Sequence, residues 1–148
     1  LKKIALAHRG TDAVNEHEIV GMVSRTAEVK PWEFVDAFSA RDVRKCLLYL
    51  GRMDSVSPHA LLAMCTTRLR ELICARAMAD RGNPRAVAGA LKAPDWRVKN
   101  HVTWARGFTA AELRHAMIAA RDTGRAMKSG TDPKSAFVDW VLEVTAKR

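Results

Sequence analysis

The run from Pro58 to Asp80, PHALLAMCTTRLRELICARAMAD, limits what this chain can fold into more than any other stretch. Ser57 offers an oxygen for the first unpaired amides of a helix, and the fixed φ of Pro58 suits a first helical position. Gly82, Asn83 and Pro84 stop the helix at the other end. Between these bounds Leu61, Leu62, Cys65, Leu69, Leu72, Ile73 and Met78 recur at the three-and-four spacing of one apolar face. A chain of 148 residues buries one ordinary core, so a helix of this length is expected to run through its centre.

Strand signals are nearly absent. Residues with β-branched side chains are scattered, no segment alternates apolar and polar for long, and Ala, Leu, Arg, Met and Glu dominate. Residues 1–8 read as the last turns of a helix ended by Gly10, and Asn15 caps a short helix carrying Ile19, Val20, Met22 and Val23. Pro31 opens a helix that places Trp32, Val35 and Phe38 on one face, and residues 41–53 form its hairpin partner, with Val43, Cys46, Leu47 and Leu50 as the apolar stripe. After the long helix, PRAVAGAL makes a short one and Pro94 opens another. Thr109 caps a helix over 109–128 that Lys128 and Gly130 close, and Asp132 and Pro133 start the last, with Phe137, Trp140, Val141 and Val144 inward. Trp32, Trp104 and Trp140 are expected in the core with Phe38, Phe108 and Phe137, whereas Trp96 reads as an exposed anchor.

Against 16 Asp and Glu stand 25 Lys and Arg, a formal charge of +9 that attracts polyanions over a Debye length of about 8 Å at physiological salt. The same balance also suits a basic, solvated surface or acidic protein partners. The first residue is Leu, with no cleavable leader, which reads as a piece of a longer polypeptide. Charged residues interrupt every apolar run before it reaches the ~20 residues a bilayer requires, so no membrane association is expected and the localisation reads as cytoplasmic. Cys46, Cys65 and Cys74 lack CxxC spacing and read as reduced, packed thiols.

No catalytic, cofactor or metal residue is assigned. KSGTDPKS lacks the glycine-rich loop and leading strand of a phosphate-binding turn, and reads as the end of one helix and the cap of the next. His8, His17, His59, His101 and His115 lie far apart, without the spacing of a helical metal site. Neither Ser nor Cys has a context that suggests an activating base, so no turnover is expected and no cofactor is implied. Residues 83–108 carry the rival signal: a short helix, a turn and a basic helix with Arg97, Lys99, Asn100 and Arg106, in the manner of a helix-turn-helix DNA reader, although Trp96, Val98, His101 and Trp104 leave that helix little polar face. The candidate contacts are Trp96 and the cations Arg114, Arg121, Arg125 and Lys128. The last three stand at i, i+4, i+7 on one ridge that can meet a protein neighbour or a polyanion.

The order FVDAFSARDVRKCLLYLGRM, the long helix ending ARAMADRG, the WARGFTAAEL joint and RDTGRAMKSGTDPKSAFVDWVLEV resembles the C-terminal collar domain of the DNA polymerase III delta subunit family of clamp loaders. The resemblance implies an all-α, compact helical bundle of clamp-loader collar type. Residues 1–28 would be a helical stub from the end of a preceding small domain, and 29–148 the collar domain. It further implies an oligomerisation role beside ATPase subunits and a delta-prime subunit, in an assembly that loads the sliding clamp on primed DNA during replication. Contact with the clamp would belong to an N-terminal domain that is missing here, DNA would be met through the parent complex, and the parent would be a subunit of the DNA polymerase III holoenzyme, a nucleotidyltransferase. The assembly surface is expected on the helices at 109–128 and 133–146, as an exposed apolar strip rimmed by charge.

Overall fold

A computed structural model of the protein describes residues 28–147. The helices expected over residues 1–23, and the 1–28 stub up to residue 27, lie outside the described residues. The chain runs through α1 (Pro31–Ser39), α2 (Val43–Leu50), α3 (Pro58–Asp80), a 3-10 turn (Pro84–Ala86), α4 (Val87–Leu91), α5 (Asp95–Val98), α6 (His101–Ala105), α7 (Ala110–Lys128) and α8 (Pro133–Thr145). Among the described residues there is no strand, and the protein is an all-α bundle.

The helix ends are set by side chains near in sequence. Ser57 Oγ accepts from the Ala60 amide at 3.1 Å, Asp42 Oδ1 from Lys45 at 3.1 Å and Asp132 Oδ2 from Ser135 at 2.9 Å. Thr109 and Glu112 form a reciprocal pair: Thr109 Oγ1 accepts from the Glu112 amide at 3.0 Å, and the Glu112 carboxylate accepts from the Thr109 amide at 2.8 Å. Each such cap stabilises its helix by about 1 kcal/mol. Gly82, at φ +77°, ends α3 by letting the Asn83 amide turn back to the Met78 carbonyl at 2.9 Å.

The central place expected of α3 is observed, since it packs against α1, α4, α6, α7 and α8. Its Leu61, Leu62, Cys65, Leu69 and Leu72 are buried, with Ile73 and Met78 half-buried beside them. Gly124 of α7 lies opposite Leu62, where an added Cβ would stand 3.7 Å from Leu62 Cδ2. At the other end Arg76 of α3 donates to the Phe108 carbonyl just before α7 begins. The two long helices are therefore antiparallel. On the other side Phe34 and Phe38 of α1 meet Phe137 and Trp140 of α8, with ring centroids 5.8 Å apart for Phe34 and Phe137 and 5.1 Å for the stacked Phe38 and Trp140. Trp140 also donates its indole N–H to the Ala116 carbonyl of α7 at 3.2 Å, so this core residue leaves no buried donor unpaired.

Two apolar assignments are corrected. Trp32 is 61% exposed and Leu47 45% exposed. A step of three residues falls about 60° short of a full helical turn, so two such steps leave Trp32 and Phe38 about 120° apart, and only Val35 and Phe38 of the three face inward. Leu47 stands about 100° round α2 from the buried Cys46, beyond the narrow buried edge of a two-turn helix. Trp104 is partly buried, and Phe108 joins Trp140 and Phe137 in the core as expected.

Candidate assembly surface and the polar joints behind it

Arg41 sits between α1 and α2 with φ +58°, a left-handed backbone conformation that costs about 1 kcal/mol or more for a side-chain-bearing residue. Its side chain is 95% buried, and its polar partners hold the conformation in place. One amino group donates to the Gly107 carbonyl at 2.8 Å and to Glu112 at 3.1 Å, and the other to Glu112 at 3.3 Å and to the Ala146 carbonyl. The guanidinium lies 4.5 Å from the centroid of the Phe108 ring. One arginine thus ties together the joint between α1 and α2, the joint between α6 and α7, and the end of α8. The hydrogen bonds from Arg41, with those at Thr109, hold the Glu112 carboxyl below its ordinary range.

A second joint fastens the short helices to α3. Glu71 takes Arg97 of α5 at 2.9 Å and the Nε2 of His101 of α6 at 2.7 Å, with Arg68 at 3.5 Å. Arg68 also donates to Asp36 at 3.0 Å and to Ser39 at 2.8 Å, and lies 4.8 Å from the centre of the Trp104 ring. Burial raises the Glu71 pKa, but the hydrogen bonds from His101 and Arg97 outweigh it and bring the group below its usual value. His101 is 1% exposed, and burial depresses its pKa despite the opposing pull of Glu71. With Nε2–H donating to Glu71, its Nδ1 is left without a partner. Neither joint is visible in the sequence, because their members are tens of residues apart; of their hydrogen bonds, only the pairing of Thr109 with Glu112 carries a local signature.

These interactions decide the rival reading of residues 83–108. The stretch expected as one basic helix is two, broken between Val98 and His101. Arg97 is committed to Glu71, and Val98 and His101 are buried. No continuous helix is presented for a DNA groove, so the helix-turn-helix reading is not favoured. Among the described residues no group of three or more His, Cys, Asp or Glu side chains is placed to hold a metal ion. Cys46 and Cys65 are buried, with the Cys46 thiol pushed up to about 12 by burial and by Asp42, and Cys65 raised well above its ordinary value, chiefly by burial. Cys74 is only half-buried.

All five candidate residues lie at the surface. Trp96 is 74% exposed, and Arg114, Arg121, Arg125 and Lys128 are exposed along α7. The structure does not bring Trp96 to the cations, because it sits on α5. A groove of about 440 Å³ runs between α7 and α8, with His115, Ile118 and Asp122 on one wall and Asp139 and Glu143 on the other. Ile118 is 52% exposed there, and Leu142 of α8 is 39% exposed. The expected apolar strip on these helices is therefore small. Other exposed apolar side chains stand elsewhere: Trp32 and Met64 line a cleft between α1 and α3, and Leu47 and Leu48 lie on α2.

A family model described as the DNA polymerase III delta subunit, C-terminal domain, matches residues 29–143. The chain belongs to that family. Among solved structures, the delta C-terminal fold is found in a Bacillus subtilis DNA clamp loader delta protein, YqeN, with a TM-score of 0.67 and 21% identity over 78% of this chain. The chain spans 35% of the length of that delta protein. No curated protein matches by sequence. Within the described part of this delta-type domain, no helix is long and apolar enough to cross a membrane.

Proposed function

We propose that this chain is an assembly module of a bacterial clamp loader, the collar portion of a delta subunit that helps load the sliding clamp on primed DNA. The match to the delta C-terminal family across residues 29–143 carries this reading. The partners are the collar domains of the ATPase subunits and of delta-prime, while the clamp is met by a part of the parent subunit outside this chain. The α7 and α8 edge supports an interface of the expected kind: Ile118 is exposed in a groove with charged side chains on its walls, and Leu142 is exposed on α8 outside the groove lining. The two polar joints support a rigid module, because a collar has to keep its order while neighbouring domains move.

Light-scattering mass after size exclusion tests the proposal. The chain is measured alone and mixed with the collar domains of the ATPase and delta-prime subunits from the same organism. A mixed complex heavier than any single component is expected, and Ile118→Glu with Leu142→Glu is expected to remove it. A chain that elutes as an unchanged monomer from micromolar mixtures refutes the assembly role.

A further inference from the structure

The exposed face of α7 is divided lengthwise. Arg114, Arg121, Arg125 and Lys128 fall within about 60° of one another around the helix, and Ala111, His115, Ile118 and Asp122 take the neighbouring arc. The second arc borders the groove to α8. The cationic arc is on the other side, toward α3, because it adjoins Gly124, which faces Leu62. Arg70 is exposed on α3, eight residues from Leu62, and in the antiparallel pair that brings it level with the start of the ridge near Arg114. The outcome is a straight cationic edge about 21 Å long at a rise of 1.5 Å per residue.

Most of these cations are not used by the fold. Among the described residues, Arg70, Arg114, Arg125 and Lys128 form no ion pair, and Arg121 reaches only its neighbour Asp122 at 3.4 Å. Arg41, Arg68, Arg76 and Arg97, by comparison, each hold a carboxylate. The chemistry of the edge selects its ligand. A protein partner would be met through an apolar centre with charges at the rim, whereas here the exposed apolar side chain, Ile118, stands at the margin and cations form the middle. Single-stranded nucleic acid is gripped by stacking on aromatic rings, and Trp32 and Trp96 lie on other elements. A row of arginines along a rigid line fits the phosphates of a duplex, which need charge and donors but no apolar core.

We infer that the α7 edge of Arg114, Arg121, Arg125 and Lys128, with Arg70 beside it, is a sequence-independent binding site for the phosphate backbone of double-stranded nucleic acid. The site goes beyond subunit assembly and does not rest on it, since every residue belongs to this chain and the groove proposed for assembly is on the other side of the α7 ridge.

The test is fluorescence anisotropy of a labelled 20-base-pair duplex of mixed sequence, titrated with the intact chain over a series of NaCl concentrations. The compared variants are Arg114→Gln, Arg121→Gln, Arg125→Gln and Lys128→Gln combined, and a control of equal charge change, Arg44→Gln, Lys45→Gln, Arg52→Gln and Arg106→Gln, whose positions are all exposed. Matching urea midpoints establish that both remain folded. The α7 variant is expected to bind at least about tenfold more weakly and to flatten the plot of log K against log salt by about 3.6, near 0.9 for each of the four phosphates that are no longer neutralised. The control is expected to change affinity by less than about threefold. Equal weakening in the two variants would reduce the effect to net charge and overturn the site, as would an α7 variant that binds like the parent. A labelled poly-glutamate binding as tightly as the duplex would assign the edge to an acidic protein, and a single strand binding as tightly would remove the duplex from the proposal. Subunit assembly is read separately by mass, so either conclusion can fail alone.

Discussion

Arg41 and Arg125 are the same residue used in opposite ways. Arg41 is 95% buried, holds Glu112 and two carbonyls, and lies against Phe108, whereas Arg125 stands in water and pairs with no carboxylate among the described residues. A buried guanidinium needs partners for its donors, and the two amino groups of Arg41 find them on three chain segments at once while its buried Nε has none. An exposed one adds almost nothing to stability and keeps its charge available. The inner joints thus make the scaffold, and the outer edge can change without disturbing it.

The strongest challenge to that contrast is Arg41→Ala. It removes the hydrogen bonds to Gly107, Glu112 and Ala146 and leaves a left-handed residue without its anchor, so a destabilisation of about 3 kcal/mol is expected, measured from the urea midpoint. Arg41→Lys should recover little, because an ammonium cannot reproduce the planar fork. A change below ~1 kcal/mol would show that the joint is not what holds the segments together. Next in size, Arg68→Ala gives up the bonds to Asp36 and Ser39 and the stacking over Trp104, for a destabilisation of about 2 kcal/mol. Near-ultraviolet circular dichroism should change with it, since the guanidinium no longer covers the Trp104 ring.

The joint at Glu71 gives a smaller effect with a direction in pH. His101 has a depressed folded pKa, so the unfolded chain takes up the proton first as pH falls. Its contribution is complete above about 6.5, the ordinary value, and is lost as pH falls through the lower folded value. The groups that face it are Glu71 and Arg68 on α3 and Arg97 on α5, and the two arginines oppose a third positive charge. Glu71 and Glu112, also depressed, keep their contributions above the normal carboxylate range and lose them at still lower pH. Urea stability measured from pH 7.5 to 5 should therefore decline in the parent and decline less in His101→Gln. Equal slopes would remove His101 from the account.

Helix positions and core are legible in the sequence because both depend on neighbours three or four residues apart. Ser57 with Pro58, Thr109 with Glu112 and Asp132 with Pro133 mark the helix starts, and the inward faces of α3 and α8 follow from spacing. Trp32 departs from expectation because spacing assigns a residue to a face but does not give the width of the buried stripe. The break between Val98 and His101 is hidden for a related reason: an apolar pattern can continue through a turn that tertiary packing imposes, here the fastening of Arg97 and His101 to Glu71. Arg41 has no local signal at all, since left-handed positions usually belong to glycine or asparagine. The α7 ridge can be read because it lies within one helix, although its separation from the groove requires knowing which sides α3 and α8 occupy.

The smallest expected effect is the sharpest test of the division between scaffold and surface. Replacing Arg114, Arg121, Arg125 and Lys128 singly with Ala should alter stability by no more than ~0.5 kcal/mol each, because holding an exposed charge in place costs about as much entropy as it gains from weak pairing in water. Arg121 is the informative member. It has a carboxylate within reach, Asp122 at 3.4 Å, but both side chains are 60% exposed, so the pair is expected to contribute no more than the unpaired Arg125 does. Urea midpoints for the two variants should coincide within error. If Arg121→Ala alone costs more than ~1 kcal/mol, α7 draws stability from its outer face, and the edge cannot be treated as a surface free to serve a ligand.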